Sequence, residues 1–190
     1  MNAKLTLGLL SEEQADEASR ELLHTARKNM GAIPNMYAEM AHAPGVLSTY
    51  LHGYNWFRKE SGFTPAEQEV VFLTISRENA CHYCVAAHSM IAEKMSKVPA
   101  QALQAIREEG TIDDPKLHAL AAFVREVVQS RGNPSQAGLQ AFTDAGYSQQ
   151  QVLQVVLAIA VKTISNYTNH LFDTPVDAAF ASYVLPAQAK

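Results

Sequence analysis

The chain has 190 residues, with 15 basic and 19 acidic side chains and a net charge of −4 when its seven histidines are neutral. That balance excludes the clustered basic face of a nucleic-acid binder, and 47% hydrophobic with 18% charged residues excludes a disordered tail. Two cysteines, Cys81 and Cys84, exclude a disulfide-stapled secreted scaffold, and the length argues for one domain over 1–190.

Taken in chain order, the sequence reads as helices separated by punctuation. Ser11-Glu12-Glu13-Gln14 has the capping-box pattern and predicts a helix running to about Asn29, with Gly31 as its stop. Pro34 and Pro44 each suit the first turn of a further helix. The second carries Val46, Leu47, Tyr50, Leu51, Tyr54 and Phe57 at helical spacing. Thr64-Pro65-Ala66-Glu67 is the best start signal: Thr64 caps, Pro65 takes the first helical position, and Glu67 reaches back. That helix runs to about Arg77, and the next opens near 80–81 and runs to Met95. Helices are expected over 99–109, 115–130 and 134–145, stopped by Gly110, Gly132 and Gly146. The last opens at Ser148, with Gln151 as its capping partner, and passes through the apolar stretch 152–161. No alternating strands are joined by tight glycine turns, so the expected fold class is all-α.

The start carries one lysine and no apolar run of signal-peptide length, and 152–161 falls well short of the ~20 residues of a membrane span. The expectation is a soluble, cytoplasmic protein.

A shift of 82 residues places His88 on His170, Cys84 on Asn166, Cys81 on Thr163 and Glu69 on Gln151. Val70, Val71, Leu73 and Ile75 then meet Val152, Leu153, Val155 and Leu157. Two amphipathic helices can fall into register by chance. The other reading is a duplicated helical unit, with the redox helical pair at 64–96 and a degenerate counterpart at 148–171 that lacks the thiols.

The chemistry concentrates between Glu67 and His88. At ~100° per helical residue, Cys84 and His88 stand about 40° apart, and Cys81 falls within about 20° of the His88 meridian. All three share one face, while His82 and Tyr83 project elsewhere. Cysteines three apart at a helix start can close a disulfide, since their Cα atoms are ~5–6 Å apart. Free N–H groups and the helix dipole stabilise a thiolate there. An imidazole one turn below Cys84 can take its proton, and a carboxylate can hold that imidazole. Glu67 is expected to be spent on the cap and solvent. Glu69 stands among Val70, Val71, Leu73 and Ile75, where a carboxylate is costly unless used, and is the preferred partner. A zinc site lacks a second ligand pair, a thioredoxin-type motif lacks its βαβ context, and two buried structural thiols remain the bland alternative.

Glu69, the Cys81-His82-Tyr83-Cys84 run twelve residues on, and His88 together resemble the Glu-x11-Cys-x-x-Cys-x-x-x-His signature of the AhpD-like alkylhydroperoxidases, within the carboxymuconolactone decarboxylase superfamily. Gly31-Ala-Ile-Pro34-Asn-Met-Tyr37 and Asn166-Tyr-Thr-Asn-His170 are similar to flanking features of its peroxidase-related branch. The resemblance implies an AhpD-like helical bundle that assembles as a homo-oligomer, while the charge balance and the short apolar stretch argue against nucleic-acid and membrane partners. It implies peroxide reduction through a Cys81–Cys84 disulfide, with an external thiol reductant or reductase and no metal, haem or flavin. Carried over, Cys84 becomes the sulfenic acid, Cys81 resolves it and exchanges with the reductant, and His88 with Glu69 relays the proton. The helix dipole alone favours Cys81 as the thiolate. Tyr83 departs from the type member, which has histidine before the second cysteine; its hydroxyl could donate to a peroxide oxygen. A general dithiol–disulfide oxidoreductase and a non-catalytic oligomeric member are the alternatives.

Overall fold

The computed structural model describes residues 2–186; Met1 and residues 187–190, the two ends of the expected domain, lie outside the described residues. Thr64 sets the centre of the fold. Its hydroxyl accepts the Glu67 N–H at 3.3 Å while the Glu67 carboxylate accepts the Thr64 N–H at 2.8 Å, satisfying the first turn reciprocally. This cap opens α4 (Pro65–Glu78), in which ten consecutive residues from Glu67 to Ser76 are buried. A helix buried all round needs partners on every side. Here α5 (His82–Lys94), α6 (Ala100–Glu108), α7 (Pro115–Gln129) and α9 (Gln149–Phe172) supply them. Beside this group, α1 (Glu17–Met30) packs on α3 (Pro44–Glu60), and α3 and α2 (Asn35–Met40) pack on α9. The short α8 (Gln136–Asp144) lies on α7.

Rings tie the two sides together. Phe72 meets Phe57 at 4.7 Å between centroids, Phe57 meets Phe63 at 6.0 Å, and Phe63 meets Tyr147 at 5.7 Å. Gly53 lets α3 and α9 approach, because an added Cβ would stand 2.8 Å from Val161 Cγ2. Among the described residues every regular element is helical, as expected from the sequence, and none is long and apolar enough to cross a membrane.

Three local expectations shift. Ser11 and Gln14 do exchange their capping bonds, both at 3.4 Å, but they close a turn, and α1 begins only at Glu17. Asp16 wins because its carboxylate accepts the Ser19 N–H at 2.8 Å, a shorter, charge-assisted cap. α6 is closed by Glu109 in the left-handed region (φ 61°) rather than by Gly110, and α8 begins at Gln136 under a Ser135 cap rather than at Pro134. The 148–171 segment is one unbroken helix where the 64–96 segment turns between α4 and α5. A short 3-10 helix, Ala178–Tyr183, had no signal in the sequence reading and packs on α5.

Candidate active site

α4 ends at Asn79, and Ala80 (φ 52°) turns the chain so that the Cys81 N–H reaches Ser76 O at 2.9 Å. An L-residue in that region carries strain of roughly 1–2 kcal/mol. The turn delivers Cys81 to the N-cap of α5, with Cys84 in its first turn and His88 in the next. All three are buried, and both cysteines are free thiols. Asn169, on α9, spans the pair: its Nδ2 donates to Cys81 Sγ at 3.4 Å and to Cys84 Sγ at 3.2 Å. Cys84 Sγ also stands 3.9 Å from Ser165 Oγ.

Behind the thiols stands the carboxylate–imidazole pair. Glu69 is wholly buried, and its Oε2 lies 2.8 Å from His88 Nδ1. An ionised carboxylate only accepts, so Nδ1 carries the hydrogen and Nε2 is left as the acceptor nitrogen. The other Glu69 oxygen forms an ion pair with Arg58 of α3. Arg58 donates to Tyr54 Oη at 2.7 Å and to Gln68 Oε1 at 3.1 Å, and lies 4.8 Å from the Tyr54 and Phe72 ring centroids. Burial drives the Glu69 carboxyl upward, but His88 and Arg58 outweigh it and hold the group below the usual carboxylate range. Burial, reinforced by the Lys162 charge, pushes His88 down despite Glu69, so its neutral form is favoured.

The two thiols are driven apart. Cys81 is lowered to about 6, chiefly by the hydrogen bond from the Cys84 thiol, with Lys162 and Asn169 helping against burial. Cys84 is pushed well above the ordinary thiol range by burial and by that same bond to Cys81. These opposite directions favour the thiolate on Cys81 and the proton on Cys84.

Of the residues singled out in the sequence, Cys81, Cys84, His88 and Glu69 come together in one buried cluster. Tyr83 is turned elsewhere: its hydroxyl donates to Asp177 Oδ2 at 2.5 Å and its ring meets Phe180 edge-on at 5.8 Å. Glu67 does serve the cap, but it is buried rather than solvated, held by Lys116 at 2.8 Å and Tyr147 Oη at 3.1 Å. Tyr37, Tyr50 and Phe57 are core residues, whereas Trp56 is exposed. The sequence reading missed Arg58, Lys162, Asn169 and Asp177. A usable signal existed for two of them. Lys162, Ser165, Asn166 and Asn169 form a polar i, i+3, i+4, i+7 stripe within an apolar helix, and all four are buried.

A free dithiol at the start of a helix, backed by a carboxylate–imidazole pair inside an all-helical bundle, defines an all-α protein of the dithiol class. Residues 44–126 match the Carboxymuconolactone decarboxylase family. A peroxidase-related protein of Ralstonia eutropha JMP134, described as an alkylhydroperoxidase AhpD core, superposes with TM-score 0.79 at 20% identity, covering 92% of this chain and 93% of the other. A peroxidase-related protein of Silicibacter sp. TM1040 gives TM-score 0.74 at 16% identity over 95% and 97% of the two chains. The debrominase Bmp8, in complex with 2,3,4-tribromopyrrole, gives 0.77 at 17% over 95% and 96%. No curated protein matches the sequence. The match to that family thus falls on residues 44–126, and the chain shares its all-α fold with structures named as an AhpD core and as a debrominase. The matched segment contains Arg58, Glu69, Cys81, Cys84 and His88, while Lys162, Asn169 and Asp177 lie beyond it.

Proposed function

We propose that the protein is a thiol-dependent peroxidase that reduces hydrogen or organic hydroperoxides through a Cys81–Cys84 disulfide cycle. The observation that carries this reading is the single Asn169 amide shared by both sulfurs beside the Glu69–His88 pair. A donor shared by two thiols keeps the sulfurs near each other, which supports closure of a disulfide between them. His88 Nε2 takes the Cys84 proton, and the thiolate attacks one peroxide oxygen. The S–O bond forms as the O–O bond breaks; sulfur is oxidised to the sulfenic acid, and the reduced leaving oxygen takes a proton and departs as alcohol or water. The Cys81 sulfur then attacks the sulfenic sulfur, the S–S bond forms and water leaves. One external thiol then opens the disulfide to a mixed disulfide and a second releases it, so the two thiols supply two electrons and leave as their own disulfide. No metal, haem or flavin is needed for any step. A second reading exchanges the two roles, and the low proton affinity of Cys81 favours it.

The test is a thiol count joined to a sulfenic-acid trap. Adding peroxide to the reduced protein is expected to remove both free thiols of each chain. In Cys81→Ser a sulfenic-acid probe is expected on Cys84; a probe found instead on Cys81 in Cys84→Ser assigns the attack to Cys81. Both thiols surviving hydrogen peroxide and an alkyl hydroperoxide overturns the peroxidase, and exchange with a small disulfide under those conditions would make it a general oxidoreductase.

We also infer that the chain works as a homo-oligomer in the cytoplasm, where thiol reductants abound. Leu153, Val156, Tyr167 and Leu171 are exposed by 49–70% and lie within about 60° of one meridian of α9. A contiguous large apolar face is the mark of a covered surface. Light scattering is expected to give a multiple of 20.8 kDa, with Leu153→Glu shifting the mass toward the single chain. A monomeric wild type rejects the assembly.

A further inference from the structure

Lys162 is the only Asp, Glu, Lys or Arg between residues 149 and 172. It is wholly buried, and its Nζ has no hydrogen-bond acceptor among the described residues. Its helix face leads directly to the thiols. Ser165 Oγ donates to Lys162 O at 3.2 Å and stands 3.9 Å from Cys84 Sγ, and Asn169, two turns on, donates to both sulfurs. The ammonium stands 5.7 Å from the Phe72 ring centroid, and that ring lies 5.0 Å from the His88 ring. A buried ammonium costs several kcal/mol unless an anion faces it.

The neighbouring groups do not supply that anion. On α3 and α4, Arg58 and Glu69 neutralise each other. On α5, burial favours neutral His88. On α2 and α3, burial keeps Tyr37, Tyr50 and Tyr54 protonated. Glu39 is engaged by Thr174 and driven toward its neutral form by burial. Asp177 already receives the Tyr83 hydroxyl and the Asn35 N–H. The sulfurs remain.

We propose that Lys162 is the fixed countercharge of the dithiol: it holds one thiolate in the reduced protein and is stranded when the pair closes to a disulfide. This rests on the reading of Cys81 and Cys84 as a redox pair. Lys162 is then a positioning residue of a particular kind, one that favours the reduced form and makes the disulfide a stronger oxidant. Closing the disulfide removes two electrons from the sulfurs to the peroxide and discharges the thiolate, leaving the ammonium unmatched.

The test reads ultraviolet thiolate absorbance against pH in the reduced protein, and the disulfide equilibrium against glutathione. The wild type is expected to form one thiolate with a midpoint of about 6. Lys162→Met keeps an unbranched apolar stem and removes the charge. It is expected to cut the thiolate fraction below the midpoint, and the rate of alkylation there, about tenfold. The glutathione equilibrium is expected to move about tenfold toward the disulfide, about 30 mV more reducing for a two-electron couple. Lys162→Arg is expected to restore most of both. A lysine of merely structural importance would alter melting while leaving the thiolate midpoint alone, and an unmoved midpoint in Lys162→Met overturns the proposal. Should that variant fail to fold, the wild-type titration decides, and no thiolate appearing below the ordinary cysteine range of about 8.5 overturns it. None of these readouts uses peroxide. Inertness to peroxide with a low thiolate midpoint would sink the peroxidase and leave the Lys162 assignment standing.

Discussion

Glu69→Gln is expected to destabilise the protein by about 3–5 kcal/mol in urea unfolding, the range found when one partner of a buried ion pair is removed. The carboxylate is wholly buried and engages His88 Nδ1 and the Arg58 guanidinium at once. Glutamine retains one acceptor oxygen, so one partner is served as a neutral amide and the other is left with none. Arg58 cannot shed its proton, so its charge stays behind against the Tyr54 and Phe72 rings. The same reasoning predicts a partial rescue. Removing both charges in Arg58→Met/Glu69→Gln is expected to recover most of the lost stability, because the uncompensated guanidinium, not the missing contact, dominates the loss. Peroxide turnover is not expected to follow. A neutral amide at Nδ1 can still accept the His88 hydrogen but brings no negative charge to support an imidazolium, so turnover should remain down by roughly 10²–10⁴-fold in the double variant, the usual worth of a positioned acid–base group. Equal recovery of stability and turnover would show that Glu69 serves only the fold. The wild-type pH profile has a defined sign. The folded Glu69 carboxyl is held below its ordinary value, so its contribution is fully present above the unfolded value and is lost as pH falls through the folded one.

What could be read from the sequence was whatever two neighbouring helices decide between themselves. Glu69, Cys81, Cys84 and His88 lie on α4 and α5 and at the cap between them, joined by a three-residue turn, so their spacing already settles which side chains share a face. The start at Thr64-Pro65 was equally plain, because a cap is made from residues four apart at most. Arg58, Lys162 and Asn169 come from helices that meet α4 and α5 only in the folded chain. Periodicity says which residues of a helix look the same way but not which helix they look at. Glu67 shows the limit within a single residue: its capping role was legible, while its burial under Tyr147 and Lys116 was set some fifty to eighty positions away. Ser11 shows another: the reading stopped at its capping box, and Asp16, five residues on, makes the shorter cap that opens the helix.

Phe72→Ala is expected to cost about 3–5 kcal/mol, the range for emptying a fully buried aromatic site. Phe72 sits between Arg58, His88 and Lys162. Its ring stacks on Tyr54 at 5.4 Å, tilts against Phe57 at 4.7 Å and His88 at 5.0 Å, and lies within 4.8 Å of the Arg58 guanidinium carbon and 5.7 Å of Lys162 Nζ. The rings around it would have to tip into the void, and α4, held by partners on every side, cannot move to close it. Phe72→Leu separates volume from the ring face. Leucine refills most of the space, so the loss should shrink to about 1–2 kcal/mol, most of it the cation–π attraction to Arg58 and Lys162. The two variants also predict different chemistry. A cavity among buried charges admits water, which screens Lys162 from the sulfurs, so Phe72→Ala should raise the thiolate midpoint of the reduced protein above about 6. Phe72→Leu keeps the site dry and should leave that midpoint near its wild-type value. If both variants shift it equally, the ring face rather than dryness sustains the thiolate.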